Sequence, residues 1–336
     1  MILTDKSVND KSVNDKSVKS NLTKSNLIKS KLVNDNLTKR KSVKINSVND
    51  KLVKSKSVNE DDEGDEDEEE LCSILSDISC DMLVEHFSQI PNYDYDKIKL
   101  IPIRKLNIYV FNISSYEELP EYAILSEKIN RAYCLKHGYK FEHIKVDYKT
   151  NNISPYWLRV YQFRKILLEN PNIDVVVYVD LDACFREFDI RIEQVLDYVD
   201  KKRKFSWYWG WESKSWLNAG FGICLNNEIS IGLVQVWIKY YEDVDKKFWY
   251  KNNITHKWVV TTYDNSKVSI PASEGYEQFR LNQMFTEKQL RPHICPLYEE
   301  YLCNSKINIQ SFTLHFYGSK KNIVEVFKSI IVKYNI

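Results

Sequence analysis

No stretch of this sequence approaches the roughly 18 consecutive apolar residues that a membrane-spanning helix needs. The residues after Met1 turn polar and charged almost at once, without the apolar core of a secretory leader. The expectation is a soluble, cytoplasmic chain with no membrane span. Paired cysteines are missing too. Cys72, Cys80, Cys134, Cys184, Cys224, Cys295 and Cys303 are odd in number, none stands in a Cys-x-x-Cys pair, and no His/Cys cluster has zinc-like spacing. Reduced, partly buried thiols in a reducing compartment are expected. A charge bias is also absent. The formal net charge is +1, which gives no sign of a nucleic-acid partner.

That near-neutral sum hides two opposed tracts. Asp5-Lys6-Ser7-Val8-Asn9 recurs as Asp10 to Asn14 and then decays into Lys-Ser-Asn-Leu and Lys-Ser-Val variants out to Asn59. A period of five matches neither a strand nor a helical face, and the tract lacks aromatics, glycine and proline. It reads as a disordered tail, with a basic tether for an acidic partner as the functional alternative. Glu60 to Glu70 follow as an almost unbroken acidic block, which repels itself and stays solvated. Residues 1–70 are therefore expected to be disordered and 71–99 to form a linker or short helix on Leu71, Leu75, Ile78, Met82 and Phe87. A single α/β domain is expected over 100–336.

Within that domain, hydrophobic periodicity predicts a strand over Arg104 to Asn112 and a helix over Glu121 to His137 stopped by Gly138. A strand over Tyr139 to Val146 follows, then a helix over Pro155 to Glu169 with proline in its first turn. Asp174 to Val179 (DVVVYV) is a continuous β-branched run, as in a buried parallel strand. This β-α-β-α-β succession implies a Rossmann-like, mostly parallel sheet flanked by helices. A helix over Ile190 to Val199, strands over Lys204 to Trp209 and Leu217 to Leu225, helices over Ile229 to Tyr241 and Glu277 to Phe285, and a last strand over Phe312 to Phe316 complete the pattern. The stretch from Asp245 to Ile270 has no clear period.

In open α/β sheets, ligands bind beyond the carboxyl ends of the strands. Asp180 and Asp182 stand just past the most convincing buried strand. Their carboxylates are hard ligands suited to Mn²⁺ or Mg²⁺, and such a cation neutralises charge on a departing nucleotide diphosphate. An Asp after a strand is also a common turn former or helix cap. A phosphotransferase class with Asp-x-Asp after its first strand wants Thr or Val where this chain has Cys184. Leu217 to Gly222 (LNAGFG) places two glycines inside a strand, the mark of a ligand's close approach or of a bulge. His315, Gly318 and the lysines 320 and 321 join an imidazole to cations near the C terminus. Trp207, Trp209 and Trp211 share one side of a strand, where they either stack on sugars or fill a core.

Together these motifs resemble the GT-A-fold glycosyltransferases, and within them the family of fungal Golgi α-galactosyl- and mannosyltransferases and plant xyloglucan xylosyltransferases, with glycogenin-like traits. The resemblance runs from about Tyr122 to Lys321. It is carried by Arg131-Ala132-Tyr133 with Lys136 to Tyr139, Tyr156-Trp157-Leu158-Arg159, Tyr178 to Ala183, Asn218-Ala219-Gly220 with Asn226-Asn227, Glu277-Gln278, and His315-x-x-Gly318-x-x-Lys321. It implies a nucleotide-diphospho-sugar transferase fold and a cation held by Asp180, Asp182 and His315, with Asp182 the firmer ligand. It implies a donor such as UDP-galactose held by Arg159, Asn218, Ala219, Gly220, Gly318 and Lys321, and a glycan or glycoprotein acceptor. Glu277 and Gln278 would face the acceptor or the reacting sugar. Transfer would retain anomeric configuration, by a same-face route or through Glu277 as nucleophile. Arg159, Ala219 and Glu277 depart from the family's usual Lys, Ser and Asp, and the charged repeat stands where Golgi members carry a membrane anchor. An inactive nucleotide-sugar or glycan-binding module, and the Asp-x-Asp phosphotransferase, remain the alternatives.

Overall fold

A computed structural model describes residues 89–147, 152–212, 216–251, 258–260, 275–316 and 322–336. The repeat, the acidic block and the helix expected within 71–87 lie outside the described residues, as do Gly318 and Lys321. Among the described residues, no helix is long and apolar enough to cross a membrane. The cysteines described, Cys134, Cys184, Cys224, Cys295 and Cys303, are all free and buried thiols.

The elements run in the order α1 (Tyr95–Lys99), β1 (Ile108–Ser114), α2 (Glu121–His137), β2 (Lys140–Lys145), α3 (Pro155–Glu169), β3 (Val175–Val179) and β4 (Ala183–Phe185). Then come α4 (Ile192–Val199), β5 (Trp207–Glu212), β6 (Trp216–Leu225), α5 (Glu228–Tyr240), β7 (Trp249–Lys251) and β8 (Trp258–Val260). The last are α6 (Glu277–Thr286), β9 (Ile294–Leu297), α7 (Glu299–Leu302), β10 (Thr313–His315) and α8 (Ile323–Tyr334). The order of the main sheet is β2-β1-β3-β6-β5-β9, with β6 antiparallel to both of its neighbours and the other pairings parallel. The expected mostly parallel α/β sheet is therefore present. The β7–β8 pair lies in the stretch that had no readable period.

Both faces of the sheet are covered, which explains the unbroken apolar run of β3. Val175, Val177 and Val179 face one cluster, where Ile129 and Tyr133 of α2, Val195 and Leu196 of α4 and Phe327 of α8 pack. Val176 and Tyr178 face the other, with Trp157 and Phe163 of α3, Trp237 of α5 and Leu281 of α6. Trp207 and Trp209 belong to this second cluster, are fully buried, and meet Trp237 at 5.5 and 5.7 Å between centroids. Of the two readings open for these tryptophans, the packed core is the one observed. Gly222 leaves the space that the Trp209 ring fills, since a Cβ there would lie 2.5 Å from Trp209 Cη2.

Local signals set the ends of two helices as expected. Gly138 closes α2 in the left-handed conformation at φ 75°, which a side chain would disfavour. Pro155 opens α3, where its missing N–H has no helical partner to lose. Ile90 and Ile98, which precede the expected domain start at residue 100, are part of the core. Besides the β7–β8 pair, α1, β4, β9, α7 and α8 have no counterpart in the sequence reading. The strand expected over 204–209 instead runs from Trp207 to Glu212, with a bulge between Trp209 and Gly210.

Candidate active site

The site is built on the carboxyl end of β3 and on a two-stranded ribbon beside it. After Val179 the chain turns through Asp180-Leu181-Asp182 into β4. The backbone N–H of Asp180 donates to the Gly220 carbonyl at 2.7 Å, and that of Ala183 donates to the Asp180 carbonyl at 3.1 Å. Helix α2 holds the turn from outside. Ser126 Oγ and Asn130 Nδ2 donate to the Ala183 carbonyl at 2.6 and 3.1 Å, and Asn130 Oδ1 accepts from the Phe185 N–H at 3.0 Å. Strand β10 pairs antiparallel with β4, so His315 lies opposite Ala183, and the Phe316 N–H donates to the Asp182 carbonyl at 3.0 Å. A residue more than a hundred positions away is thereby brought beside the Asp-x-Asp turn.

His315 Nε2 lies 3.4 Å from Asp182 Oδ1 and 3.8 Å from Asp180 Oδ2. One ligand atom from each of Asp180, Asp182 and His315 lies within 4.8 Å of the other two. Ligands at adjacent positions around a cation bound at about 2.1 Å sit about 3 Å apart, so the spacing fits a small divalent ion. Two carboxylate oxygens and one imidazole nitrogen suit Mn²⁺ or Mg²⁺ better than a soft metal. The imidazole is buried, at 3% exposure, whereas the Asp180 and Asp182 side chains keep 24% and 17%. The carboxylates therefore face outward and the histidine backs them.

Gly220 makes this packing possible. A Cβ on it would sit 2.6 Å from His315 Nε2 and 2.7 Å from Asp180 Oδ2. The sequence pattern expects a ligand or a bulge at this glycine, whereas the groups that approach it here are the chain's own imidazole and carboxylate.

Arg159, on α3, is the buried cation of the site. Its guanidinium lies 3.2 Å from Asp180 Oδ1 and 3.1 Å from Glu277 Oε1, and it donates to the Ala219 carbonyl at 2.8 Å. It also stands over the Tyr178 ring at 4.9 Å, and the Tyr178 hydroxyl donates to Asp180 Oδ1. Asp180 is thus shared between Arg159, Tyr178 and the ligand cluster. Burial opposes the charge on Arg159, but Asp180, Tyr178 and Glu277 outweigh it and hold its pKa above the usual value. Burial pushes Glu277 up, with Arg159 acting against it. For His315, burial alone would lower the pKa. The Cys303 sulfur and the Asp182 carboxylate outweigh that, and the net direction is well above the ordinary value.

Glu277 and Gln278 begin α6, which is tied down from several sides. Asp245 forms a bidentate ion pair with Arg280 at 2.6 and 2.9 Å, and Trp237 Nε1 donates to the Glu277 carbonyl at 2.9 Å. Gln278 Oε1 accepts from the Ala219 N–H at 2.9 Å, and Asn282 bonds both backbone groups of Leu217. These side chains satisfy the start of β6. Asn218 is buried and its Oδ1 accepts from the Gly220 N–H at 2.7 Å. Asp180, Asp182, His315, Arg159, Gly220 and Glu277 therefore form one contiguous group, with Ala219 and Gln278 bonded to its edge.

Tyr178 belongs to the motif quoted from the sequence, whereas Cys303, Ser126 and Asn130 carry no sequence signal that singles them out individually. The spacing of Ser126 and Asn130, four apart on an otherwise apolar helix face, is the one signal available for that pair. A separate cavity of about 500 Å³, lined by Tyr93, Asp94, Tyr95, Asp96, Tyr298 and Glu300 among others, contains none of the expected site residues.

Comparison with known proteins agrees with the resemblance read from the sequence. Residues 104–203 match the galactosyl transferase GMA12/MNN10 family, a segment that includes Arg159, Asp180 and Asp182. No curated protein matches the chain. Among solved structures, it is similar to a glycosyltransferase involved in glycosylation of the major capsid of PBCV-1, at 13% identity and a TM-score of 0.47, covering 65% of this chain and 98% of that one. It is also similar to the galactosyltransferase LgtC in complex with donor and acceptor sugar analogs, at 10% identity and a TM-score of 0.36, covering 67% and 95%. An active-site mutant of LgtC matches at 12% identity and a TM-score of 0.38, with the same coverage.

Proposed function

We propose that this chain is a glycosyltransferase of GT-A type that moves a hexose from a nucleotide-sugar donor to a glycan or protein acceptor with the help of a divalent cation; the family match over residues 104–203 supports the reading. The observation that carries the cation reading is the convergence of Asp180, Asp182 and His315 at the end of β3. The family description, galactosyl transferase, supports galactose as the sugar, and UDP-galactose is the proposed donor. When bound, Mn²⁺ or Mg²⁺ would supply charge neutralisation for the leaving diphosphate. Asp182 and His315 would hold it, with Asp180 contributing while also anchored by Arg159 and Tyr178. Gly318 and Lys321 are proposed as the second hold on the diphosphate.

The chain's own residues favour a same-face, retaining route over a carboxylate nucleophile. Glu277 is buried and its Oε1 is committed to Arg159. A nucleophile needs an accessible oxygen beside the reacting carbon, whereas this side chain is only 3% exposed and one of its oxygens lies against the guanidinium. Arg159 in turn steadies Asp180 and the Ala219 carbonyl at the donor edge formed by Asn218, Ala219 and Gly220. The acceptor's proton then passes to the leaving phosphate oxygen, which removes the need for a strong protein base. Gln278 is assigned to shaping this edge through Ala219.

Incubation with a panel of UDP- and GDP-sugars, with and without Mn²⁺, tests the reading. Mn²⁺-dependent hydrolysis or transfer from one donor, abolished in Asp182→Ala, is expected. Donor binding without turnover would favour the binding-module reading. Phosphatase activity without nucleotide-sugar binding would favour the phosphotransferase.

A further inference from the structure

We infer that Cys303 is a positioning residue for the proposed metal ligand His315, accepting a hydrogen bond from Nδ1 and so turning a bare Nε2 toward the cation. The inference rests on the metal reading above. With a cation bound the imidazole is neutral, carries one N–H, and coordinates through its other nitrogen. Metal-binding histidines are generally held by a second partner at the far nitrogen, which fixes the tautomer and the ring plane.

Cys303 occupies that place. Its Sγ lies 3.5 Å from His315 Nδ1, within sulfur hydrogen-bonding range, and both residues are buried. The other ring nitrogen, Nε2, faces Asp182 and Asp180 at 3.4 and 3.8 Å. The backbone ties the two positions together. The Cys303 N–H donates to the Glu299 carbonyl at 2.8 Å, at the end of α7, and the His315 N–H donates to the Asn304 carbonyl at 3.0 Å. Two glycines clear the space. A Cβ at Gly210 would lie 2.5 Å from the Cys303 Cβ, and one at Gly220 would meet the imidazole itself. The bulge at Trp209/Gly210 in β5 therefore has a consequence for the site, because it puts a residue without a side chain where Cys303 must fit.

The test titrates Mn²⁺ alone into the full chain by calorimetry. Cys303→Ala should weaken Mn²⁺ binding by about 10- to 100-fold. Cys303→Ser, which keeps an acceptor, should stay within about threefold of wild type. Both variants keep the Cβ that packs on Gly210. His315→Ala separates the two ideas. If it binds Mn²⁺ like wild type, the metal reading fails. If it loses binding while Cys303→Ala does not, Cys303 is a packing residue only. Should the alanine variant fail to fold, imidazole ¹⁵N spectra of the wild-type chain saturated with Mg²⁺ decide the matter. A protonated Nδ1 and an unprotonated Nε2 at His315 are expected, and the reverse tautomer overturns the inference.

Discussion

Replacing Gly220 with alanine puts the site's geometry under direct stress. The new Cβ would stand 2.6 Å from His315 Nε2 and 2.7 Å from Asp180 Oδ2. Carbon packs against such atoms at about 3.5 Å, so the carboxylate must retreat by roughly 0.8 Å and the imidazole, whose Cε1 is closer still, by more than about 1 Å. The ring has little freedom to do so, because β10 is paired to β4 and Nδ1 is against Cys303. Overpacking of this kind costs about 1–3 kcal/mol of stability. Metal–ligand distances tolerate only about 0.2 Å, so the loss of Mn²⁺ affinity should reach at least about 100-fold, or ~2.7 kcal/mol. Gly222→Ala is the internal control. It lies on the same strand and its Cβ would strike the Trp209 ring, so it should destabilise comparably in urea while leaving Mn²⁺ affinity unchanged. A folded Gly220→Ala protein that binds Mn²⁺ as wild type does would refute the placement of His315 as a ligand.

Three further outcomes are expected. Arg159→Met leaves the Glu277 carboxylate buried without its counter-ion and should cost about 3–5 kcal/mol in urea denaturation, with much of the loss recovered in Arg159→Met/Glu277→Gln; a loss under about 1 kcal/mol would show the pair to be weak. His137 should make stability fall in mild acid. Burial first, then the Arg191 guanidinium, pushes its pKa down from 6.5 to about 4. The unfolded chain therefore binds the extra proton first, and the contribution present above pH 6.5 is lost as the pH falls toward 4. The side chain is partly exposed, so the effect is on the order of 1 kcal/mol, and His137→Gln should flatten the pH dependence of the urea midpoint over that range. Finally, Mn²⁺ at about 100 times its dissociation constant should stabilise the chain by about 2.7 kcal/mol. Differential scanning fluorimetry should show that gain reversed by EDTA and missing in His315→Ala.

The parts of the fold written in local chemistry were legible in the sequence. Gly138 and Pro155 mark the ends of α2 and α3, and the β-branched run of β3 announces a strand covered on both faces. The Asp-x-Asp turn follows from its place after that strand. Elements held together by distant partners were not legible. Strand β4 is three residues long and exists because β10 pairs with it, so nothing in its own sequence signals it. Strand β9 carries Pro296, a residue that argues against a strand, and is tolerated because β9 is at the sheet edge. The antiparallel direction of β6 has no trace in a hydrophobic pattern, yet it brings Gly220 to the same end of the sheet as Asp180. The glycines of β6 could be suspected of allowing a close approach, but the sequence could not say that His315 and Trp209 are what approach. Arg159 and Glu277 were singled out separately, and their ion pair emerges only when α3 and α6 are seen side by side.

The proposed chemistry depends on one divalent cation bound where Asp180, Asp182 and His315 meet. Anomalous diffraction at the manganese edge from crystals grown with Mn²⁺ and UDP measures this most directly. A single strong peak is expected within about 2.0–2.6 Å of Asp182 and His315 Nε2. A map with no peak there, or with the peak held by other residues while His315 stays paired to Asp182, would contradict it.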